Sequence, residues 1–256
     1  MRIVIKIGTS TLAHKTGRIN IRRVEELCKV MSDLKNAGNE IILVSSGAIG
    51  MGVGKLGLTS RPTDIPTKQA AAAIGQCELM YTYDKLFSEY NHTVAQILIT
   101  DDDIKHEIRK ANFENTMKRL LELSVIPILN ENDSIATDEI IIGDNDTLGA
   151  IVATTLEADL LIILSDIDGF YTADPHKDSN AVLLHTVSEI TPEIENMTGG
   201  AGSNLGTGGM ATKIKAAKIA NAAGTDVVIA NGSNPDIIYD IIDGKEIGTK
   251  FIAKKA

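Results

Sequence analysis

The sequence predicts an α/β fold, a three-layer α/β/α sandwich built on a mainly parallel sheet. Three observations predict it. Short apolar runs alternate with helical patterns along most of the 256 residues. The strand-like runs are continuously apolar, as strands covered on both faces must be, rather than alternating. Small and polar residues gather directly after five of these runs, and in open α/β sheets ligands bind beyond the carboxyl ends of the strands.

The elements follow in order. Residues 2–7 (RIVIKI) read as a buried strand. Residues 20–37 read as a helix, with Val24, Leu27, Cys28, Met31 and Leu34 at i, i+3, i+4 spacing and Gly38 as its stop. Residues 40–45 (EIILVS) are a second strand, 67–90 an alanine-rich helix and 93–99 (TVAQILI) a third strand. A helix at 111–123 leads to a strand at 125–129 (VIPIL). A short arm of a hairpin is expected at 139–143, then a helix starting near Asp146 and a strand at 160–164 (LLIIL). A helix at 210–223, a strand at 226–230 and the segment IGTKFI at 247–252 close the chain.

Composition bounds the function. The chain is 43% hydrophobic and 23% charged, an ordinary globular mixture able to bury a large core. Thirty-four acidic against 25 basic residues give a net charge of −9. Such a surface repels nucleic acid and anionic membranes, so neither is expected as a partner. A site for an anionic substrate must then be basic against the average. Two isolated cysteines, Cys28 and Cys77, suit a reducing compartment and give no metal-ligand spacing. The N-terminus opens directly as a strand, without the features of a signal peptide, and no apolar run is long enough to span a bilayer. A cytoplasmic protein is expected.

The polar strand ends are KIGTS (6–10), SSGAIGMG (45–52), NEND (130–133), GDND (143–146) and SDIDG (165–169). Residues 52–57, GVGKLG, match a dinucleotide-binding spacing. They start seven residues past Ser45, outside the tight turn that motif needs, and read better as a mobile loop. Gly54-Lys55 fails as a P-loop, because Ile49 and Leu56 stand where glycine and a hydroxyl are required. Lys6 interrupts an apolar strand. Such a lysine either reaches solvent or aims at an anion from the strand's carboxyl end, with Gly8 allowing close backbone approach. The two acids and amide of GDND precede a helix, where one of them serves as a cap. The others, with NEND, suit a substrate ammonium, a magnesium ion or the orientation of lysines. DGFYTADP (168–175) is a loop whose aromatic residue suits either plain surface or an adenine face. The five histidines are scattered and carry no metal pattern. Six glycines fall within residues 199–209, ahead of a helix at Met210. They serve either as a slack linker between two folding units or as a lid followed by a phosphate cradle, in which bare backbone N–H groups at a helix start favour anions.

KIGTS, VSSGAIGMG (44–52), PILNENDSIAT (127–137), GDNDTL (143–148), LSDIDGFYTADP (164–175) and GTGGMATK (206–213) together resemble the amino acid kinase family, in the family's order and from end to end of the chain. DGxYTADP marks the family in general. The combination of SSGAI, NEND, GDND and GTGGMxTK resembles the branch that phosphorylates glutamate. The resemblance implies a central sheet of about eight mostly parallel strands in one domain over 1–256, with glutamate on about 1–155 and ATP on about 156–256. Many members carry a further C-terminal PUA domain; the chain ends at Ala256, and none is expected. Carried over by position, Lys6, Lys213 and Asp146 are the catalytic set, with Asp146 holding both lysines. Ser46, Gly47, Asp133 and Asn145 bind glutamate. Lys6, Gly8, Ser165, Asp166 and the run Thr207, Gly208, Gly209, Met210, Ala211, Thr212, Lys213 line ATP. No protein metal ligand is assigned, and magnesium is expected with ATP. Ser165 replaces the usual threonine of the nucleotide-side strand and keeps its hydroxyl. A homo-oligomer, dimer or tetramer, and a downstream glutamyl phosphate reductase are the implied protein partners, and the implied setting is the first step of proline biosynthesis.

The chemistry suits this set. A side-chain carboxylate with a pKa of ~4.3 is already ionised at neutral pH, so phosphoryl transfer onto it needs no general base. What it needs is positioning and fixed positive charge. Two other readings stand beside this one: a sibling kinase for another small acid, such as N-acetylglutamate or aspartate, and a non-catalytic sensor of amino acid and nucleotide.

Overall fold

The computed structural model describes residues 1–14, 16–135, 144–175, 177–197 and 209–254. The hairpin arm at 139–143, Gly143, His176 and the glycine run up to Thr207 and Gly208 lie outside the described residues.

The chain opens with β1 (Arg2–Ile7), a single helical turn α1 (Thr9–Leu12), α2 (Ile21–Asn36) and β2 (Glu40–Ser45). Next come α3 (Ala48–Leu56), α4 (Ile65–Ser88), β3 (Val94–Ile99), α5 (Asp101–Lys105), α6 (Glu107–Glu122) and β4 (Ile126–Glu131). The second half holds α7 (Asn145–Thr155), β5 (Leu160–Ser165), the short strands β6 (Phe170–Tyr171), β7 (Leu183–Leu184) and β8 (Thr186–Val187), and α8 (Pro192–Asn196). It ends with α9 (Met210–Ala222), β9 (Asp226–Asn231), α10 (Ile237–Ile242) and β10 (Thr249–Phe251).

Eight strands form one sheet in the order β3-β4-β2-β1-β5-β9-β10-β8, and β6 pairs with β7 separately. The pairings within the large sheet are parallel except β9 with β10. The mostly parallel sheet of about eight strands is thus present. β9, which follows the glycine run, pairs with β5, which precedes it, over six positions. Both sides of the run therefore belong to one sheet, and the slack-linker reading falls.

Two apolar layers sandwich the sheet. Ile3, Ile5 and Ile7 of β1 face one core with side chains of α2, α4 and α10; Val4 faces the other with α6, α7 and α9. Lys6 alternates with Ile5 and Ile7 and so falls on the face of Val4, under α7. β1 is the strand from which the chain leaves toward β2 on one side and to which it returns as β5 on the other. Such a reversal opens a crevice at the strand's carboxyl end.

The loop expected at 52–57 is corrected: it is the second half of α3. Its glycines do not loosen the chain; they let two helices touch backbone to backbone. A Cβ at Gly52 would stand 1.8 Å from Ala71 O, and one at Gly75 would stand 1.8 Å from Ala48 O. Gly75→Ala is accordingly expected to cost about 1–3 kcal/mol or more by overpacking, roughly 5 °C in Tm for a chain of this size. A melting curve superimposable on wild type would show that α3 and α4 move apart freely.

Candidate active site

The first turn of α7 organises the site. Asp144 caps the helix, its carboxylate accepting from Thr147 N at 2.6 Å. The next residue, Asn145, turns toward β2 and β4. It donates to Ser46 Oγ at 2.8 Å and to Asn130 Oδ1 at 3.0 Å. Asp146 turns the other way, beneath α9, and is fully buried.

Two lysines meet Asp146 from different elements. Lys6 Nζ of β1 lies 2.5 Å from Oδ1, a close ion pair, and Lys213 Nζ of α9 lies 3.1 Å from Oδ2. Thr212 adds a hydroxyl bond to Oδ2 at 2.8 Å. Lys6 and Lys213 are 6% and 4% exposed, so neither is the solvent-reaching strand-end lysine that Lys6 might have been. Gly149 of α7 makes room: a Cβ there would stand 3.4 Å from Lys6 Cβ.

The electrostatics follow from burial. Burial alone raises the Asp146 carboxyl pKa, but the charges of Lys6 and Lys213 overcome it and hold the group below the usual carboxylate range. Burial lowers the pKa of Lys6; Asp146 opposes that shift and Lys213 adds to it. Two ammonium groups and one carboxylate leave the trio with one net positive charge, in a chain whose overall charge is −9. Asp144 is a further negative charge near Lys6.

The expected nucleotide-side residues lie around this cluster. α9 begins at Met210 with Gly209 as its cap, no side-chain cap and no acid in its first turn. No side chain among the described residues caps its first N–H groups, and the helix dipole favours an anion there. Gly8 continues from β1 and donates its N–H to Leu164 O of β5 at 3.4 Å. Ser165 ends β5 and donates to Asp166 Oδ1 at 3.2 Å. Met210 and Ala211 sit on the opening turn of α9, with Ala211 exposed.

The other side of α7 is acidic. Glu131 is pushed up to about 7 by burial and by the neighbouring charges of Asp133, Asp144 and Asp101. Burial raises the pKa of Asp133 as well, against the pull of Arg61. A cavity of about 410 Å³ opens here, bounded among others by Ala48, Gln76, Leu98, Glu131 and Asp133. Gly47 makes the turn that leads into α3, at φ 108°, a conformation open to glycine and rarely to other residues.

The sign of the Glu131 shift gives a test. Its folded pKa lies above the unfolded value, so its ionisation opposes folding as pH rises from about 4.5 to about 7. Glu131→Gln is therefore expected to gain stability over wild type above pH 7, and to lose that advantage on acidification. Melting curves of both proteins across this range check it; a difference independent of pH would contradict it.

Among the expected site residues, the structure brings together Lys6, Asp146, Thr212 and Lys213 in one cluster, and Ser46 with Asn145 in another. Asp133 lies on the acidic loop. Of the aromatic residues in the 168–175 loop, Phe170 is buried against Phe251 at 6.2 Å and is not available to an adenine ring. Tyr171 remains, bonded to Asp168 at 3.3 Å. Two residues outside the expected set also belong: Asn130, inside the NEND motif, and Gln76 of α4, which accepts from Asn130 Nδ2 at 2.9 Å. Gln76 was legible only as a polar residue on the buried stripe of Ala71, Ala72, Gly75 and Leu79.

Comparisons with known proteins give the family and the fold. The sequence model of the amino acid kinase family matches residues 1–231. The chain is 56% identical over 258 residues to a glutamate 5-kinase of Clostridium perfringens, covering 99% of this chain and 96% of that one. It is 52% identical over 258 residues to a glutamate 5-kinase of Listeria monocytogenes, covering 99% and 94%. In fold it is similar to carbamate kinase from Giardia lamblia bound to AMP-PNP, with a TM-score of 0.71, 19% identity and coverage of 99% and 98%. It is also similar to isopentenyl phosphate kinase of T. acidophilum, with a TM-score of 0.67 and 19% identity over 98% of this chain and 100% of that one.

Proposed function

The chain belongs to the amino acid kinase family, and from that premise we propose that it transfers the γ-phosphoryl group of ATP to the side-chain carboxylate of L-glutamate. The product is γ-glutamyl 5-phosphate, the first intermediate of proline biosynthesis. One observation carries the reading. Consecutive residues of one helical turn face opposite requirements: Asn145 faces hydroxyl and amide groups beside an acidic cluster, and Asp146 faces two buried lysines. An amino acid with a cationic and an anionic end fits the first side, and a polyphosphate fits the second.

The roles follow. Ser46, Gly47, Asp133 and Asn145 seat glutamate on the portion of the chain up to about residue 155, with the acids receiving its ammonium group. Gly8, Ser165, Asp166 and residues 207–213 seat ATP on the remainder. The already ionised γ-carboxylate attacks in line. Lys6 approaches from β1 and Lys213 from α9, so charge building on the transferred phosphoryl oxygens lies between them. Asp146 fixes both ammonium groups before the substrates arrive, so little reorganisation is left for the chemical step.

ATP enters as its magnesium complex, in which the ion neutralises phosphate charge. Magnesium carried on phosphates and water takes at most one or two protein carboxylates.

The deciding experiment is a hydroxylamine trap with ATP, magnesium and a panel of acids: glutamate, N-acetylglutamate, aspartate and carbamate. ATP-dependent γ-glutamyl hydroxamate, with little product from the rest, is the expected result. Product from another acid would transfer the reading to a sibling kinase, and none at all would favour a sensor. A homo-oligomer, a cytoplasmic setting and delivery of the labile acyl phosphate to a reductase complete the proposal. Among the described residues, no helix is long and apolar enough to cross a membrane.

A further inference from the structure

The polarity of the amide groups behind the acceptor side is fixed by one backbone group. The N–H of Glu131 donates to the side chain of Asn130 at 2.9 Å. A backbone N–H can only donate, so the atom it meets is the carbonyl oxygen of Asn130. Asn145 meets that same oxygen and must therefore present its NH₂ group. This NH₂ also reaches Ser46 Oγ, so the Ser46 hydroxyl is an acceptor toward Asn145 and its own proton remains free to donate. On the opposite side, Asn130 turns its NH₂ to Gln76, which must present its oxygen. Among the described residues, Gln76 Nε2 is buried and meets no hydrogen-bond partner.

That arrangement is costly for Gln76. The residue is 7% exposed, on a helix face whose nearest buried members are alanine, glycine and leucine. An unsatisfied buried donor opposes folding, and an apolar residue there would avoid the cost. What Gln76 supplies is the acceptor that holds Asn130 in one orientation. The helix that carries it is held rigidly against the same turn. Gly75 of α4 approaches Ala48 O, two residues beyond Ser46, without room for a Cβ. Tyr83, two turns further along α4, bonds Ser45 Oγ at 2.9 Å.

We propose that Gln76 is a positioning residue for the acceptor: through Asn130 and Asn145 it orients the Ser46 hydroxyl so that its proton points to the acceptor's carboxylate. It acts through Asn130 and Asn145, from the wall of the cavity on the acceptor side. This rests on the phosphoryl-transfer function proposed above. It does not depend on which acid is accepted, because it is read with whichever acid the wild-type enzyme phosphorylates. Absence of product from the wild-type protein would overturn the function; the following comparison overturns only the role of Gln76.

The test compares Gln76→Met, which keeps size and removes the acceptor, with Gln76→Glu, which keeps an oxygen facing Asn130. For Gln76→Met, KM for the acceptor acid is expected to rise about tenfold, the loss of roughly one buried hydrogen bond. KM for ATP stays within about twofold of wild type. For Gln76→Glu, KM for the acceptor returns toward the wild-type value. Equal increases in both KM values for Gln76→Met, or a wild-type KM for the acid, overturn the proposal. So does Gln76→Glu with a KM for the acid as poor as that of the Met variant. Should Gln76→Met fail to fold, Gln76→Glu decides alone: a KM for the acid near wild type supports the role, and a tenfold rise overturns it.

Discussion

Lys213→Ala is expected to lower the rate of ATP-dependent hydroxamate formation by at least ~10²–10³, the usual cost of removing one preorganised donor from a charge-stabilising site. Lys6→Ala is expected to do the same. The reason lies in the charge count. In the intact trio two ammonium groups share one carboxylate, and on the proposed function the surplus positive charge would face the phosphate. With either lysine gone, the survivor and Asp146 neutralise one another and the surplus vanishes. Folding is expected to survive, because Asp146 keeps one lysine and, where the backbone is unaltered, the Thr212 hydroxyl. Circular dichroism and single-turnover kinetics together make the measurement. Turnover near wild type in either variant would remove that lysine from the catalytic set.

Asp146→Ala is expected to have the other large effect, of a different kind. Here both ammonium groups stay buried and lose the carboxylate that holds them. Breaking a buried ion pair by deleting one partner typically costs about 3–5 kcal/mol, since the remaining charge is uncompensated. The rate is expected to fall more than ATP affinity, because the lysines remain cationic enough to attract phosphate but are no longer aimed. Wild-type Asp146 has a depressed pKa, so its contribution to stability is present above the ordinary carboxylate pKa and is lost on acidification. In the variant the lysines are the groups in difficulty. Burial already lowers the pKa of Lys6; without the opposing charge of Asp146 it falls further, the unfolded chain then binds more protons, and stability rises with pH. Melting temperatures measured from about pH 6 to 9 check this: Asp146→Ala gains on wild type as pH rises. A constant gap would mean that the lysines find another counter-charge.

Much of this site is legible in the sequence because its residues violate their surroundings. Lys6 stands inside the apolar run of β1, between Ile5 and Ile7. GDND packs acid and amide at a helix start, and Gly209 leaves a helix uncapped. The core strands are legible for the converse reason: β1, β2, β4, β5 and β9 are continuous apolar runs, and burial on both faces permits little else. The elements that were not legible are those whose stability is tertiary. α3 contains three glycines, each costing roughly 1 kcal/mol in a helix interior, and reads as a loop. It is a helix because Gly52 and the facing Gly75 let it lie directly on α4. α1, α5, α8 and α10 are one or two turns long, too short for periodicity to register, and β8 at the sheet edge is two residues. Gln76 was illegible for a related reason: only its partner Asn130, 54 positions away, gives it a purpose.

The opening turn of α7 has a consequence for how the enzyme ages under stress. Asn145 and Asp146 are bonded neighbours, with Cα atoms ~3.8 Å apart. The spacing between the residue that faces the proposed acceptor side and the residue that faces the proposed phosphate side is therefore set by covalent geometry. Their partners, Ser46 and Asn130 on one side and Lys6 and Lys213 on the other, are brought in by packing between separate elements. On the proposed function, heat or mild denaturant therefore loosens those partners before it changes the spacing of Asn145 and Asp146.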